Sequence, residues 1–465
     1  MITIRDINDA WLEGAEFRRK RRRHIDFTYG RQWGDTVTNS RGERLTEGEL
    51  AMRGGKSPLT NNLIRQMVKN IVGRFRRRLE SGEAPCRLDS ETRRRNQTDE
   101  LDARMLEEFL ISGCAVQRIV SERRPGGSGV WIDNVDPDRF FCNKYGDPRG
   151  MDLELVGMLH DMSLREVCLR FGRGDAATQA AIARIYGSDA AGAGSVIGRG
   201  ETEEFGRARR GRCRVIEAWT LETVGRILCH DRSTGTLTRI PAAESRRVAE
   251  INRELRRCGK PELSTREVTA LEWRSTWFAP SGEVLHTAPS PYRHGEHPFC
   301  VRLYPLTDGE VHPVVEDVIH TQKYINRLMT LIDHVMSISA KGVLLFPVNQ
   351  KAPDWSWKEV GRMWAQPGGV IPYYPDGTAE GPRQEFSSGN PAGAYTLLEL
   401  QMKLMEQISG VSGSMAGITP SGNMSAALME AQNNYGAIGM ADTLACFDAF
   451  RDMRDRKALA TMKQS

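Results

Sequence analysis

The chain has 465 residues and a formal net charge of +5, from 65 Lys and Arg against 60 Asp and Glu. This length corresponds to two or three domains, or to one elaborate domain. Its 39% hydrophobic and 27% charged residues are typical of a globular protein and exclude disordered and collagen-like classes. The longest apolar run, Val343–Val348, is far shorter than the roughly 18 residues that a membrane span needs. We therefore expect a soluble protein with no membrane partner.

The nine cysteines stand singly and form no CxxC pair. Such a distribution is typical of a protein made and kept in a reducing cytoplasm. The first residues, Met1–Asp9, already include Arg5, Asp6 and Asp9, so they lack the apolar core of a signal peptide. We expect synthesis in the cytoplasm.

Basic residues concentrate near the N-terminus. Residues 1–130 contain 26 Lys and Arg and 19 Asp and Glu, a net +7, so the remaining residues sum to −2. The densest run is Arg18–Arg23. A run of this kind is more often a solvated or subunit-facing charge cluster, with direct phosphate contact as the alternative. Because Arg also suits interface ion pairs, the run alone does not establish nucleic acid as a partner.

The first half of the chain is predicted to begin with helices and continue with strands. Apolar residues at helical spacing indicate helices within residues 7–33, 63–75 and 101–110. The glycine-rich stretch 187–211 is predicted to be a loop. Alternation or periodicity then predicts, in chain order, strands Val130–Val135, Cys213–Leu221 and Val224–Cys229, helix Ser245–Cys258, and the strand pair Val268–Phe278 and Glu283–His286.

A long helix is predicted from Pro313 to Lys341. Pro313 suits the first helical position, Lys341 lies in the last turn, and Gly342 is placed for the C-terminal cap. An apolar stripe runs along its whole length, and three acidic residues balance three basic ones. A helix of this length must therefore pack against other helices, in its own chain or in neighbouring subunits.

Shorter elements follow the long helix. They are predicted, in order, as strand Val343–Val348, a helix over Trp355–Trp364, helix Asn390–Ile408, a Gly/Ser-rich stretch Gly410–Asn423, and a last helix over Leu428–Phe450.

No segment has the residues and spacing of a known active-site motif. The segment Gly54-Gly55-Lys56-Ser57 lacks the upstream glycine of a phosphate-binding loop, since that position is Leu50. A metal site at His294, His297, Cys300 and His312 does not have a recognised zinc spacing, and a proline-rich connection is the better interpretation. The acidic stretch Asp133–Asp138 contains Pro137 and is better explained as a turn. We therefore predict no enzyme, no metal and no cofactor.

Several segments nevertheless resemble, in the same order, the portal (head-to-tail connector) proteins of tailed bacteriophages, of the podovirus type. The segments are Tyr29–Trp33, Pro58–Ile64, Val68–Arg76, Cys213–Trp219, Ser245–Gly259, Val268–His286, Val315–Gly342, Ile408–Val411, Ala416–Ile418 and Ser421–Asn423. Each motif is weak by itself, but together they span most of the chain. The resemblance implies a mixed α+β fold in a ring-forming oligomer, with a helical wing, a long-helix stem, a small α/β clip and a helical crown.

The resemblance also implies where these regions lie. They are the N-terminal wing at 1–240, the outer stem helix at 241–258, the clip at 259–311, the inner stem helix at 312–342, a wing continuation with tunnel loop and tunnel-side helix at 343–424, and the crown helix at 425–465.

Site residues follow from the same resemblance. Candidates that face the DNA channel are Gln322, Lys323, Asn326, Arg327 and Lys341. Candidates for docking the packaging ATPase on the clip are Arg266, Glu267, Arg274 and Glu283. Tunnel-loop candidates are Arg383, Gln384, Glu385, Ser387, Ser388 and Asn390. A basic wing patch comprises Arg18, Arg19, Lys20, Arg21, Arg22 and Arg23. Channel contacts should be weak and sequence-independent, because each neutralised phosphate adds affinity and friction.

The implied function is a non-enzymatic ring, usually of twelve subunits, at one capsid vertex of the virion. Its implied partners are further copies of itself, double-stranded DNA, the terminase large subunit, the major capsid protein and scaffold, and head-completion or tail adaptor proteins. Two other functions stay open from the residues alone. One is a DNA-packaging or recombination enzyme, and the other is a monomeric nucleic-acid-binding protein that uses the Arg-rich N-terminus.

Overall fold

A computed structural model describes most of the chain and divides it into two compact units. The described residues are 2–125, 127–147, 149–189, 205–208, 210–341, 343–366, 368–375, 377, 380–385, 392–410 and 426–464, with backbone alone at 188–189, 338–341, 392 and 426–439. The first unit comprises residues 1–24, 71–316 and 441–465, and the second comprises residues 25–70 and 317–440.

The helices are α1 Ile4–Glu13, α2 Ala15–Thr28, α3 Glu47–Arg53, α4 Leu63–Glu80, α5 Ser90–Asn96, α6 Thr98–Ser112, α7 Leu164–Phe171, α8 Ala176–Asp189, α9 Ser245–Arg257, α10 Val314–Lys341, α11 Trp357–Ala365, α12 Ala392–Ser409 and α13 Ala426–Met462. The strands are β1 Thr36–Thr38, β2 Arg44–Thr46, β3 Cys114–Arg124, β4 Gly127–Asn134, β5 Phe140–Cys142, β6 Leu155–Met162, β7 Cys213–Asp231, β8 Thr236–Pro241, β9 Ser264–Phe278, β10 Val284–Pro289, β11 Phe299–Leu303, β12 Leu306–Thr307, β13 Glu310–Val311, β14 Val343–Leu345 and β15 Arg383–Glu385.

The first unit is built on two antiparallel sheets. The larger sheet has the strand order β10-β9-β7-β6-β5, with β8 also paired to β7, and the smaller has the order β11-β3-β4. Side chains from both sheets form one apolar cluster that includes Val116, Phe140, Trp219 and Phe299. Burial of these large side chains holds the sheets together.

Strand β7 is one continuous strand, so the prediction of two separate strands at 213–221 and 224–229 was wrong. It pairs with β9 in unbroken register from Ile216↔Phe278 to His230↔Ser264. Glu222 and Thr223, which interrupt the apolar alternation, stay within this ladder because a complete set of backbone hydrogen bonds tolerates polar residues on an open face.

The predicted clip, 259–311, is not a separate α/β unit. Its strands β9 and β10 belong to the larger sheet, and β11 pairs with β3 in the smaller one. The helix predicted at 245–258 is present as α9, and it packs Val248 against Ile227 and Cys229 of β7.

The C-terminal part of α13 is anchored in the first unit by buried ion pairs. Arg451 Nε and Arg454 Nη1 each donate to Asp102 of α6, at 2.8 Å, and Arg454 Nε donates to Asp455 at 2.6 Å. These side chains are almost completely buried. Next to them the ring of Phe447 lies 5.5 Å from that of Phe75. The last helix is therefore part of this core.

We expect Asp102→Asn to destabilise the protein by about 3 to 5 kcal/mol, because it removes the buried carboxylate that Arg451 and Arg454 share and leaves them only their pairs with Asp448 and Asp455. Urea denaturation followed by circular dichroism measures this. The matched control is Glu100→Gln on the same helix, whose carboxylate forms exposed pairs with Arg76 and Arg104. It should cost about 1 kcal/mol or less. Equal effects of the two variants would contradict the role of the buried pair.

The effect of Asp102→Asn should also depend on pH. Burial raises the pKa of Asp102, but the charges and hydrogen bonds of Arg454 and Arg451 lower it more, so its pKa is below the ordinary value. A carboxylate with a lowered folded pKa stabilises the native state fully above its unfolded pKa, about 4, and loses this as the pH falls through the folded value. The stability difference between wild type and variant should therefore be constant near neutral pH and shrink below about pH 4.

Gly157 allows β6 to lie between its neighbours in the larger sheet. A Cβ atom at this position would collide with the Phe141 ring and with the carbonyl oxygen of Glu217. We expect Gly157→Ala to destabilise the protein by about 1 to 3 kcal/mol, since the core must shift to accept the methyl group. Gly225→Ala on β7 is the control, because the nearest atom to its new Cβ is Ala242 Cβ at 3.6 Å. Thermal unfolding should separate the two, and a silent Gly157→Ala would contradict the close approach.

Candidate functional site

A buried polar ladder lies on α10 within the second unit. Gln322, Asn326 and Thr330 are spaced four residues apart, so they share one face of the helix. They face the segment 59–64, which leads into α4.

Each member of the ladder binds the backbone of that segment. Gln322 Oε1 accepts hydrogen bonds from the N–H groups of Leu63 and Ile64 at 3.0 and 3.3 Å, and its Nε2 donates to the Asn61 carbonyl at 2.6 Å. Asn326 Oδ1 accepts from Asn61 N–H at 3.1 Å, and Thr330 Oγ1 accepts from Leu59 N–H at 3.0 Å. Gln322 thereby satisfies the first N–H groups of α4, which have no partner inside their own helix.

The ladder corrects the predicted channel contacts at Gln322 and Asn326. Their exposed fractions are 0% and 1%, and Asn326 Nδ2 also donates to Gln32 Oε1 at 2.6 Å. The two amides are committed to internal hydrogen bonds and are not available to DNA. The sequence could not decide this, because a polar stripe on a long helix fits a buried ladder as well as a water-filled channel.

The predicted channel cations have different environments. Lys323 Nζ lies 2.7 Å from Asp35 Oδ2 and 2.6 Å from Glu47 Oε1, so its charge is neutralised within the protomer. Arg327 also pairs with Glu47, at 3.0 Å, but 55% of its side chain is exposed. Lys341 ends α10, and its side chain is outside the described residues.

The basic run 18–23 is not a uniform patch. Arg18 and Arg21 point inward because they lie one helical turn apart on α2. The Arg18 guanidinium lies 3.6 Å from the centroid of the Trp11 ring and donates to the Trp11 carbonyl at 2.8 Å. Arg21 forms a bidentate pair with Glu108, at 2.7 and 2.8 Å, and also contacts Asp136 and Asp138.

Electrostatics favour the charged form of Arg21. Burial lowers its pKa, but the hydrogen bond and charge of Glu108, together with Asp138 and Asp136, raise it more, so its pKa is raised overall. Of the remaining residues in the run, Lys20 pairs with Glu310 and Arg19 pairs with Glu16 in solvent. Arg22 lies within 4.0 Å of Asp138. The run therefore contributes to ion pairs inside the first unit. The sequence analysis considered a solvated or subunit-facing cluster and a phosphate contact, but not internal ion pairs.

The predicted clip residues lie on the larger sheet of the first unit. Arg266 and Glu267 are exposed on β9, and Glu283 is exposed just before β10. Arg274 pairs with Glu222 across the β7–β9 ladder at 3.0 Å.

Part of the predicted tunnel loop is a strand. Arg383, Gln384 and Glu385 form β15, which pairs with β14 from Leu345↔Arg383 to Val343↔Glu385. These three residues are therefore not in a loop. The other candidates, Ser387, Ser388 and Asn390, lie outside the described residues.

The second unit exposes an apolar set that the sequence analysis did not single out. On residues 343–374 the exposed side chains include Val348 (80%), Val370 (76%) and Tyr374 (62%). We name as the apolar surface the exposed apolar residues of this segment and of α12, which are Val343, Leu345, Val348, Trp357, Val370, Tyr373 and Tyr374, with Tyr395, Leu400, Met402 and Ile408 on α12. A signal was present in the aromatic residues between the glycines and prolines of 347–382. Apolar exposure on this scale is typical of an interaction site.

The four residues considered as metal ligands make separate contacts. His297 is buried with its ring 4.6 Å from that of Trp273, and Cys300 is buried in β11. His294 stacks on Tyr292, and His312 lies 3.4 Å from Glu316. Within the described part of the chain, no group of His, Cys, Asp and Glu is placed to hold a metal ion. The same part contains no helix with the length and apolarity needed to cross a membrane.

We expect Gln322→Ala to destabilise the protein by about 3 kcal/mol, because it leaves two N–H groups of α4 and the Asn61 carbonyl buried without partners. Urea denaturation measures the loss. His320→Ala removes an exposed side chain from the same helix and should change stability by less than about 0.5 kcal/mol. A Gln322→Ala protein as stable as wild type would show that water or rearrangement replaces the ladder.

The family of the chain follows from a comparison with known proteins. No curated protein matches it. The family model described as phage P22-like portal protein matches residues 90–464, which include both sheets of the first unit, α10, the apolar surface and α13. This confirms the resemblance found in the sequence, although the landmarks at 29–33, 58–64 and 68–76 precede the matched residues. Portal proteins are structural components of the phage capsid and not enzymes. The chain therefore belongs to the P22-like phage portal protein family.

Proposed function

We propose that this protein forms a closed ring at one capsid vertex and serves as the conduit for double-stranded DNA during packaging and ejection. The ring has twelve subunits and docks the terminase large subunit first and head-completion or tail adaptor proteins later. It also contacts the major capsid protein and scaffold. Family membership supports the portal role, and the apolar surface is the observation that supports assembly.

The apolar surface fits contacts between copies of this chain. Each buried square ångström of apolar area contributes about 25 cal/mol, so side chains as exposed as Val348, Val370 and Tyr374 favour a covering partner. In a ring every subunit presents this surface to a neighbour, and the same contact repeats around the axis. A second copy is the occupant that the portal family requires.

The structure supports a different segment for the clip than the one predicted. We assign the clip to residues 343–385 and the two stem helices to α10 and α12. Residues 343–385 begin with β14 and end with β15, which pair with each other, so the segment starts and finishes at neighbouring positions. Between them Phe346 lies 5.9 Å from Trp357, the first residue of α11, and Tyr374 N–H donates to the Gln350 carbonyl at 3.0 Å.

This assignment has the form that the portal resemblance implies. In the portal arrangement, the clip is a small α/β segment that lies between the two long stem helices. Here α10 ends just before β14, and α12 begins soon after β15. Residues 259–311 do not have this form, because their strands complete the sheets of the first unit. The two sheets of that unit then belong to the wing.

Among the channel candidates whose side chains are described, Arg327 retains an exposed charge. Its pairing with Glu47 weakens the attraction it can offer a phosphate, which suits a passage where DNA must slide. The alternative of a monomeric Arg-rich nucleic-acid-binding protein is not supported, since Arg18 and Arg21 are engaged inside the first unit. No observation favours a packaging enzyme.

The test is the mass of the purified protein by multi-angle light scattering. We expect a ring many times the 52.1 kDa of one chain. The triple variant Val348→Asp, Val370→Asp, Tyr374→Asp should shift it to monomers, because buried anchors in an interface typically contribute about 2 kcal/mol or more each. Leu237→Asp, at an equally exposed position of β8 in the first unit, is the control.

Two results would contradict the proposal. One is a wild-type protein that stays monomeric at every salt concentration. The other is a ring that persists in the triple variant, which would place assembly on a different surface. Circular dichroism of the variant establishes that it is folded.

A further inference from the structure

A cavity of about 330 Å³ opens in the first unit between β3, β7, β9 and α7. Its walls include Arg118, Arg170, Trp219, Trp277 and Tyr292. It thus combines two guanidinium groups with three aromatic rings. A volume of this size holds one small molecule and not a polymer.

Glu217, one of two acidic residues in the cavity wall, already has three hydrogen-bond partners. Glu217 is fully buried, and its Oε1 accepts from Arg118 Nη2 at 3.0 Å and from Trp219 Nε1 at 2.9 Å. Its Oε2 lies 2.7 Å from His160 Nε2. Burial raises the pKa of Glu217, but Arg118, His160 and Trp219 lower it to about 2, so it stays ionised. Both oxygens of Glu217 are therefore engaged by groups other than Arg170.

Arg118 retains donors beyond its bond to Glu217. Its side chain is 91% buried, from an exposed fraction of 9%. Its Nε is buried and has no hydrogen-bond partner among the described residues. A buried guanidinium with unused N–H groups is a costly arrangement unless another acceptor completes it.

Arg170 lines the same cavity from the last turn of α7, where it is also exposed to solvent. Its guanidinium lies 4.4 Å from the centroid of the Trp277 ring, which holds it in place by a cation–π contact. Within the part of the chain that the structure describes, no carboxylate forms an ion pair with it. Glu122, the other acid at the cavity, is engaged with Arg124 at 2.6 Å.

The two arginines repel one another. Burial and then the charge of Arg118 lower the pKa of Arg170, and the acids Glu217 and Glu122 offset this only in part. A bound anion would relieve this repulsion and accept from both groups, since planar guanidinium groups match the oxygens of phosphate.

We propose that this cavity is an anion site that binds a compact phosphate group, with Arg170 and Arg118 as its cationic contacts. The phosphate is either free or carried on a planar ring. In the second case Trp219, Trp277 and Tyr292 supply the surfaces on which the ring stacks. The site is independent of ring assembly and of the apolar surface.

The experiment is a calorimetric titration of the full-length protein with inorganic phosphate and, separately, with adenosine 5′-monophosphate, at constant ionic strength. We expect saturable binding at one site per chain. Arg170→Gln should weaken it about tenfold or more, as expected for the loss of a charge-assisted hydrogen bond. Arg170→Lys should have an intermediate effect, because it keeps the charge but not the planar fork. Arg165→Gln, at an arginine of the same helix that does not line the cavity, should bind like wild type.

The two ligands distinguish the sources of the phosphate. Tighter binding of the nucleotide indicates a ring on the aromatic walls, and equal affinities indicate free phosphate. The proposal fails if neither ligand saturates, or if Arg170→Gln binds as tightly as Arg165→Gln. Thermal unfolding of both variants, expected to match wild type, separates loss of binding from loss of structure.

Discussion

The first unit depends on one buried carboxylate. Asp102 projects from α6 and binds Arg451 and Arg454 of α13 at the same time. A lone charge at this depth would be strongly destabilising, so the three side chains are stable only as a set. Gln117 of β3 and the backbone N–H of Arg87 complete the cluster through Arg454 and Asp455. One helix, one strand and one loop thus hold the C-terminal helix in a fixed register.

The second unit uses neutral hydrogen bonds for a comparable purpose. Gln322, Asn326 and Thr330 bind an extended segment that has no secondary structure of its own, and they fix the start of α4. The chain therefore uses charge where two helices meet in an apolar core and amides where a helix must hold irregular backbone. Both arrangements satisfy buried polar groups that hydrophobic packing cannot.

Elements with strong local signals were predictable from the sequence. The length of α10, the periodicity of α9 and the strand pair β9 and β10 follow from patterns in neighbouring residues, and the structure contains all three. The division of β7 into two strands failed because register is set by a partner strand, β9, which alternation within one segment does not reveal. The sheet membership of residues 264–303 could not be predicted for the same reason. Local patterns show that 264–303 contains strands, but not which sheets these strands join.

The site residues were harder to predict than the fold. The inward position of Arg18 and Arg21 had a signal in the sequence, because their spacing continues the buried face of Ile7 and Trp11. The signal is easily missed because both arginines belong to a run of six basic residues. The burial of Gln322 and Asn326 had no local signal in the sequence, because it depends on contacts with a segment more than 250 positions away. The cavity arginines 118 and 170 come from different elements, and no motif connects them.

The separation of Asp102 from Arg454 along the chain has a consequence for biosynthesis. The two residues are 352 positions apart, and ribosomes add about 5 to 20 residues per second. The core around α6 therefore remains without its last helix for roughly 20 to 70 s during synthesis. In that interval Asp102 and the neighbouring phenylalanines lack their partners. During that time a nascent subunit is incomplete and prone to misassociation. The core of the first unit can therefore be completed only after α13 has left the ribosome.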